Sequence, residues 1–256
     1  MTDFEKRYIY VCEKLKKYCV PYETNLKKIR IGDDRDGGYV VSELPGYDAL
    51  YSYGCDDKTS FERAFYDLYK KDSYVYDHTI EGITDKPDYI HFFKQGVDSS
   101  KGEMMDTIDN HILANGHEKS TNLMAQIDIE GHEWKLFHDG FEFMKNFSQI
   151  VIEFHIFGNV VNYEDYIDRT FKKLNEHYVC THIHGQNSPL NPWLDGNFPK
   201  VFEMTWVRKD FVKEKKVEPG IFPIKGLDYA GDEKRADLRL DYWHDLKDTS
   251  YLGFDK

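Results

Sequence analysis

Apolar positions recur along this chain in two periods, one near 3.6 residues and one near 2, and the two alternate in a regular order. Phe4, Tyr8, Ile9, Cys12 and Leu15 fall at helical spacing, which predicts an opening amphipathic helix with Pro21 just beyond its end. In RIGDDRDGGYVV, Asp36-Gly37-Gly38 is a turn signal between two short extended runs. From residue 49 onward, strands are predicted over 49–54, 74–77, 89–97, 123–129, 149–155, 178–184 and 201–207. Helices are predicted over 59–70, 102–113, 133–144 and 163–176. Thr59 and Glu62 stand at capping-box spacing at the start of the first of these.

Strands alternating with helices predict an α/β fold with a mostly parallel seven-stranded sheet covered on both faces. No helix separates the last two strands, so they are expected to pair as an antiparallel edge hairpin. A single domain is expected over 1–256. It divides into an N-terminal helix and hairpin over 1–48, a core over 49–207 and an irregular wrap over 208–256, where Pro219, Gly220, Pro223, Gly226 and Gly231 fall.

Composition narrows the function classes. The chain has 34 Lys+Arg against 46 Asp+Glu, a formal net charge of −12. That argues against general nucleic-acid binding, which rests on neutralising phosphates. Cys12, Cys19, Cys55 and Cys180 form no C-x-x-C pair and fit no zinc-ligand spacing, so a reduced, cytoplasmic setting is expected. The charged N-terminus lacks a signal peptide's apolar region, and no stretch approaches the roughly 20 apolar residues of a membrane span, so no membrane insertion is expected. A homo-oligomer is left open.

In such sheets, ligands bind beyond the carboxyl ends of the strands, where the strand order switches. Candidate cofactor residues there are Gly54 and Asp56 after the first core strand, Asp77 closing the second for a ribose, and Gln95, Gly96 and Val97 ending the third, beside an adenine. Asp36 and Tyr39 would border the cofactor from the N-terminal side. Each has a plainer reading beside it: Gly54 and Asp36-Gly37-Gly38 as turns, Asp77 as a strand-end acid. No G-x-G-x-x-G is present, so a pyrophosphate would be poorly cradled, which favours a cofactor without phosphates. S-adenosylmethionine is one.

LMAQIDIEGHEWKLF resembles the FkbM-type methyltransferases, whose mark is I-D-x-E-G-x-E after an apolar strand, here Ile127-Asp128-Ile129-Glu130-Gly131-His132-Glu133. Further likenesses are Ile31-Gly32 with Asp36-Gly37-Gly38-Tyr39, then Ile152-Glu153-Phe154-His155, His182-Ile183-His184-Gly185-Gln186-Asn187 and Val201-Phe202-Glu203-Met204-Thr205. The resemblance implies a Rossmann-like class I methyltransferase fold, S-adenosylmethionine as cofactor, and methylation of a sugar hydroxyl. The chain also resembles bacterial capsular heptose methyltransferases. They imply a nucleotide-linked sugar or glycan precursor as substrate, in capsule or surface polysaccharide biosynthesis. The family's glycine-rich first motif is reduced here to Gly54.

Methyl transfer to a hydroxyl needs alignment and a base or metal at the acceptor proton. Asp128 is the expected central residue, at the cofactor, as base or as metal ligand. His155 and His184 end the next two strands. Asp128, His155 and His184 would converge on one divalent ion, magnesium or manganese, with Glu153 able to replace His155. Without a metal, the histidines would hydrogen-bond backbone or substrate. Glu133 is expected to serve the N-terminal end of the following helix. Trp193, Trp206 and Trp243 would stack on a ring or pack in the core. Two other classes compete. An NAD-dependent sugar dehydrogenase or epimerase is disfavoured by the missing pyrophosphate loop and by the absence of Tyr-x-x-x-Lys after the fourth strand. A non-catalytic ligand-binding module is disfavoured by Asp128, Glu153 and the paired histidines.

Overall fold

In the computed structural model, the described residues are 1–137, 141–156, 164–190, 199–217 and 222–240. The first helix, α1 (Asp3–Tyr18), starts at a reciprocal cap. Thr2 accepts the Glu5 N–H, and the Glu5 carboxylate reaches back to the Thr2 N–H. Its apolar stripe, Tyr8, Val11, Cys12 and Leu15, is buried. Then come β1 (Tyr22–Thr24), β2 (Lys28–Ile31) and β3 (Tyr39–Ser42), with β2 and β3 paired antiparallel around the Asp36-Gly37-Gly38 turn.

The alternating core follows as β4 (Leu50–Tyr53), α2 (Ser60–Tyr69), β5 (Ser73–Tyr76), β6 (Ile90–Phe93), β7 (Gly96–Val97), β8 (Met105–Asp106), α3 (Ile108–Ala114) and β9 (Leu123–Ile127). It continues with α4 (Glu133–Leu136), β10 (Phe147–His155), α5 (Glu164–His177), β11 (Tyr178–Gly185), β12 (Val201–Arg208) and β13 (Lys215–Val217). Seven of the strands form one sheet in the order β11-β12-β10-β9-β4-β5-β6. β6, β5, β4, β9 and β10 run parallel, while β12 is antiparallel to both β10 and β11. This is an α/β fold with a mostly parallel central sheet, compatible with a Rossmann-like arrangement. The chain leaves β4 toward β5 and β6, then returns to lay β9 on the other side of β4. The strand order therefore switches between β4 and β9, which opens a crevice at their carboxyl ends.

Burial explains why the central strands read as apolar runs: every residue of β9 is buried, as is every residue of β4. Ala49, Tyr51, Leu123, Ala125 and Ile127 face one layer with α1 and α5 residues such as Leu15 and Phe171. Leu50, Met124, Val151 and Val207 face the other, with Phe61 and Phe65 of α2 and Tyr39 and Val41 of β3. Period-2 alternation along each strand thus sorts residues between two covers, and the N-terminal hairpin forms part of the second.

Several expected elements differ. The strand expected over 89–97 breaks at Gln95 into β6 and β7, and β7 pairs with β8. β8 stands where a helix was expected from residue 102; α3 begins only after Thr107, whose side chain accepts the Asn110 N–H. The helix expected over 133–144 stops at Leu136, and a 3₁₀ turn spans Glu142–Asn146, its start held by Asp109 accepting from the N–H groups of Glu142 and Phe143. Thr59 precedes α2 but makes no capping bond; its hydroxyl accepts from Arg63 instead. The wrap after 208 is not wholly irregular, since β13 pairs antiparallel with β1. Tyr163, Trp193, Pro219, Gly220 and Trp243 lie outside the described residues. Among the described residues, no helix is long and apolar enough to cross a membrane. The four cysteines are buried and unbridged.

Candidate functional site

The crevice at the switch point is a cleft of about 620 Å³, within the usual range for a small-molecule site. Its walls come from the loops after β4, β5 and β9, from β7 and β8, and from the N-terminal hairpin. Eight of the expected cofactor residues line it: Asp36, Tyr39, Gly54, Asp56, Asp77, Gly96, Val97 and Asp128. The ninth, Gln95, is turned elsewhere and pairs with His111 Nε2 at 3.1 Å. Glu62, His78 and His132 also line the cleft and are not among the site residues expected from the sequence. His78 and His132 sit in turns, where no periodicity marks a residue as inward-facing. Glu62 was concealed by its capping-box spacing.

Local structure assigns several of these side chains a definite task. Gly54 has φ +81°, and a Cβ there would lie 1.8 Å from the Asp128 carbonyl oxygen. Its glycine character is therefore demanded by the β9 loop packing against it, not by an approaching ligand. At Gly96 a Cβ would meet Met105 Sδ at 2.5 Å and His78 Nδ1 at 2.7 Å, so this glycine makes room for two lining side chains. Asp77 clamps the loop after β4. One oxygen accepts the Cys55 and Asp56 N–H groups at 3.0 and 3.1 Å, the other the Thr79 N–H and hydroxyl at 2.8 and 2.6 Å. Burial raises the Asp77 pKa, but these four donors outweigh it and hold the carboxyl below its ordinary value. A ribose contact would have to share an acid already committed to the chain.

Strand register builds a polar row across the carboxyl edge. His184 of β11 opposes Glu203 of β12, which opposes Glu153 of β10. Ile152 pairs with Ile127, so Asp128 follows β9 beside Glu153. Tyr39 reaches over from β3: its hydroxyl lies 3.2 Å from Glu153 Oε2 and 3.4 Å from Asp128 Oδ2, and accepts from Gln126 Nε2 at 3.3 Å.

His155, at the end of β10, is nearly enclosed. Its Nδ1 lies 3.1 Å from Glu133 Oε1, while Nε2 faces Glu130 at 3.5 Å, Glu153 at 3.6 Å and Asp128 at 3.8 Å. The turn that brings Glu130 there is tight, with Glu130 at φ +55° and Gly131 at φ +97°. Glu133 meets the helix-terminus expectation and exceeds it. Besides His155, its Oε1 accepts the N–H groups of Ile129 and Gly131 at 3.1 Å each. Burial and the surrounding carboxylates push Asp128 up to about 7, with the His155 charge opposing them. Burial, then the charges of Asp128 and Glu203, push Glu153 well above the carboxylate range. For His155, burial lowers the pKa, but the Glu133 hydrogen bond and the acid charges raise it further, for a net rise.

The expected three-ligand set is only partly assembled. Asp128 and His155 come together, and Glu133 joins them, their ligand atoms all within 4.8 Å of one another. His184 does not. Its Nε2 donates to Asp237, 3.1 Å from both carboxylate oxygens, and its Nδ1 faces Glu203 at 3.6 Å. His182 is bound likewise to Asp228 at 2.8 Å. The two histidines share a face, as period-2 spacing implies, but that face receives the segment 222–240. Trp206 is a core residue, fully buried with Phe171.

A second cleft of about 540 Å³ adjoins the first through Asp36 and is walled by Glu153, Gln186, Ser188 and residues 231–234. Compared with models of protein families, with curated proteins and with solved structures, the chain finds no match in any of the three.

Proposed function

We propose that this protein is an S-adenosylmethionine-dependent O-methyltransferase acting on a sugar hydroxyl, of the Rossmann-like class I type with the β11–β12 pair as its edge hairpin. The observation that carries the reading is the charge of the switch-point cleft. Seven carboxyl groups line it, from Asp36, Asp56, Glu62, Asp77, Asp98, Asp128 and Glu130, against one lysine, Lys58. Lys58 is itself paired with Asp36 at 2.6 Å. Such a cleft repels a pyrophosphate and favours a cofactor bearing positive charge. It thereby disfavours the dehydrogenase alternative.

Bound S-adenosylmethionine supplies a methyl on a positively charged sulfur. The chain's part is to align an acceptor oxygen with it and to take the oxygen's proton. The second cleft suits the acceptor, since it touches the first at Asp36 and presents the Glu153, Gln186 and Ser188 side chains to hydroxyl groups. A nucleotide-linked heptose or another glycan precursor is the proposed acceptor class. Asp128 and Glu153 flank the junction, bridged by Tyr39, and a carboxyl group with its pKa raised toward neutrality is a stronger base than an ordinary one. His155, held by Glu133, stabilises whichever of the two is ionised.

The same residues fit a divalent cation. Asp128 Oδ1 is buried with no hydrogen-bond partner in the structure, and three carboxylates face the His155 Nε2. Asp128 and His155 would hold magnesium or manganese with Glu153 beside them, and the ion would lower the pKa of a bound hydroxyl. Glu133 would orient the imidazole from behind.

Titration calorimetry tests the reading. S-adenosylhomocysteine is expected to bind and NAD not to. Binding of NAD alone would replace the proposal with a dehydrogenase, and binding of neither would leave a non-catalytic module.

A further inference from the structure

The floor of the first cleft holds a carboxylate that the mechanism above does not use. Glu62, in the first turn of α2, lines the cleft yet is only 2% exposed, and its Oε2 has no hydrogen-bond partner. Leaving a buried carboxylate oxygen unmatched is costly, and burial accordingly pushes the Glu62 pKa up, against the opposing influence of Ser52 and Arg63. The neighbouring cations are committed elsewhere. Lys58 pairs with Asp36, and Arg63 donates to the Thr59 hydroxyl and the Asp85 carbonyl. The Ser52 hydroxyl on β4 is shared between Glu62 and Gln126 Oε1, which lies 2.8 Å away, and Glu62 Oε2 is left without a donor. A polar floor with an unmatched acid is a receptor for a donor arriving with a ligand.

We infer that Glu62 is the binding site for the α-ammonium group of the cofactor's amino-acid portion, so that this end of the ligand is held by a side chain of α2. The inference rests on the S-adenosylmethionine reading and deepens it. In the amino-acid sequence, the glycine-rich loop that would hold the methionine part is reduced to Gly54, and Gly54 is occupied in packing against the Asp128 carbonyl. Glu62 supplies a contact that this loop does not. It also explains why Thr59 and Glu62 stand at capping-box spacing without making the box: the acid turns into the cleft instead of back along the helix.

The experiment compares two probes, S-adenosylhomocysteine, which carries the ammonium, and 5′-methylthioadenosine, which keeps the adenosine and sulfur but lacks the amino acid. The wild-type protein is expected to bind the first at least tenfold more tightly. Glu62→Gln should remove at least tenfold of affinity for S-adenosylhomocysteine and leave methylthioadenosine within twofold, which also reports that the variant is folded. Should Glu62→Gln be unstable, Glu62→Asp keeps the charge one methylene further back and should give a smaller loss confined to the same probe. Equal losses on both probes, or none, would overturn the assignment while leaving the cofactor reading intact. Wild-type protein that binds neither probe would remove the cofactor reading itself, and this inference with it.

Discussion

His155 of β10 and His184 of β11 lie near the carboxyl ends of two strands that run the same way on either side of β12, are 4% and 1% exposed, and stand beside carboxylates, yet they do different things. His184 lies between Asp237 and Glu203, and Asp237 comes from the segment 222–240. His182 repeats the arrangement with Asp228, and Asn187 adds three bonds to the carbonyls of Asp232, Arg235 and Ala236. Here the histidines fasten one piece of chain to another. His155 has Glu133 on one nitrogen and three carboxylates around the other, Asp128 and Glu130 from the loop after β9 and Glu153 from β10. That crowding of acids is unfavourable unless protons, the imidazolium or a cation neutralise it. His182 and His184 meet three acids between them, whereas His155 alone meets four.

The difference predicts a hierarchy of variants. On the proposed methyltransferase reading, Asp128→Asn keeps the shape and hydrogen bonds of the row but removes the proposed base, so turnover should fall about a thousandfold or more. Circular dichroism and the thermal midpoint should stay near wild type, because removing one of four crowded acids relieves repulsion. Near-normal activity would break the comparison at its strongest point. His155→Gln should cost about a hundredfold, as the acids lose their counter-charge. His184→Gln should lower turnover less than tenfold while making the segment 222–240 markedly more susceptible to limited proteolysis. If His184→Gln were the more damaging to turnover, the two histidines would have been assigned the wrong way round. If a metal sits at the row, chelation should abolish activity of wild-type enzyme and manganese or magnesium should restore it.

The alternation that defines the sheet was legible because central parallel strands are buried on both faces and read as apolar runs, as β4 and β9 do. The cleft was legible too, because strand ends at a switch point are fixed by chain order. What pattern could not show is which polar residues face each other after the chain returns. His155 and His184 are indistinguishable by period and position, and only the arrival of Asp237, 53 residues further on, separates them. Helix ends were misjudged where a local bond interrupts an apolar period, as Asp109 does before Glu142 and Thr107 before α3. Glu62 was misassigned for the converse reason. Its spacing from Thr59 matches a local cap, but the side chain is buried at the cleft and makes no cap.

The effect with the least bearing on turnover concerns the fastening itself, and it has a pH signature with two limbs. His184 faces Asp237, Glu203 and, further off, Asp228; burial lowers its pKa, but these acids lift it well above the ordinary histidine value. A raised folded-state pKa means that the stabilisation is complete below about pH 6.5, the unfolded value, and is lost as pH rises through the folded one. Asp228 behaves oppositely. Burial raises its pKa, but the charge and hydrogen bond of His182, with the His184 charge and the Ile224 N–H, bring it below the ordinary value. Its contribution is present above about pH 3.8 and is lost as pH falls through its folded value. Hydrogen exchange of 222–240 should therefore be slowest between about pH 4 and 6.5, after correction for the intrinsic rate, and should quicken on either side. Each charged hydrogen bond is worth about 1.5–3 kcal/mol, so each limb should change protection by about tenfold to a hundredfold. His184→Gln should flatten the alkaline limb and Asp228→Asn the acid one, each weakening the other limb to a smaller extent because the two groups' charges act on each other. An alkaline limb that survives in His184→Gln would show that another group, and not this histidine, fastens the segment.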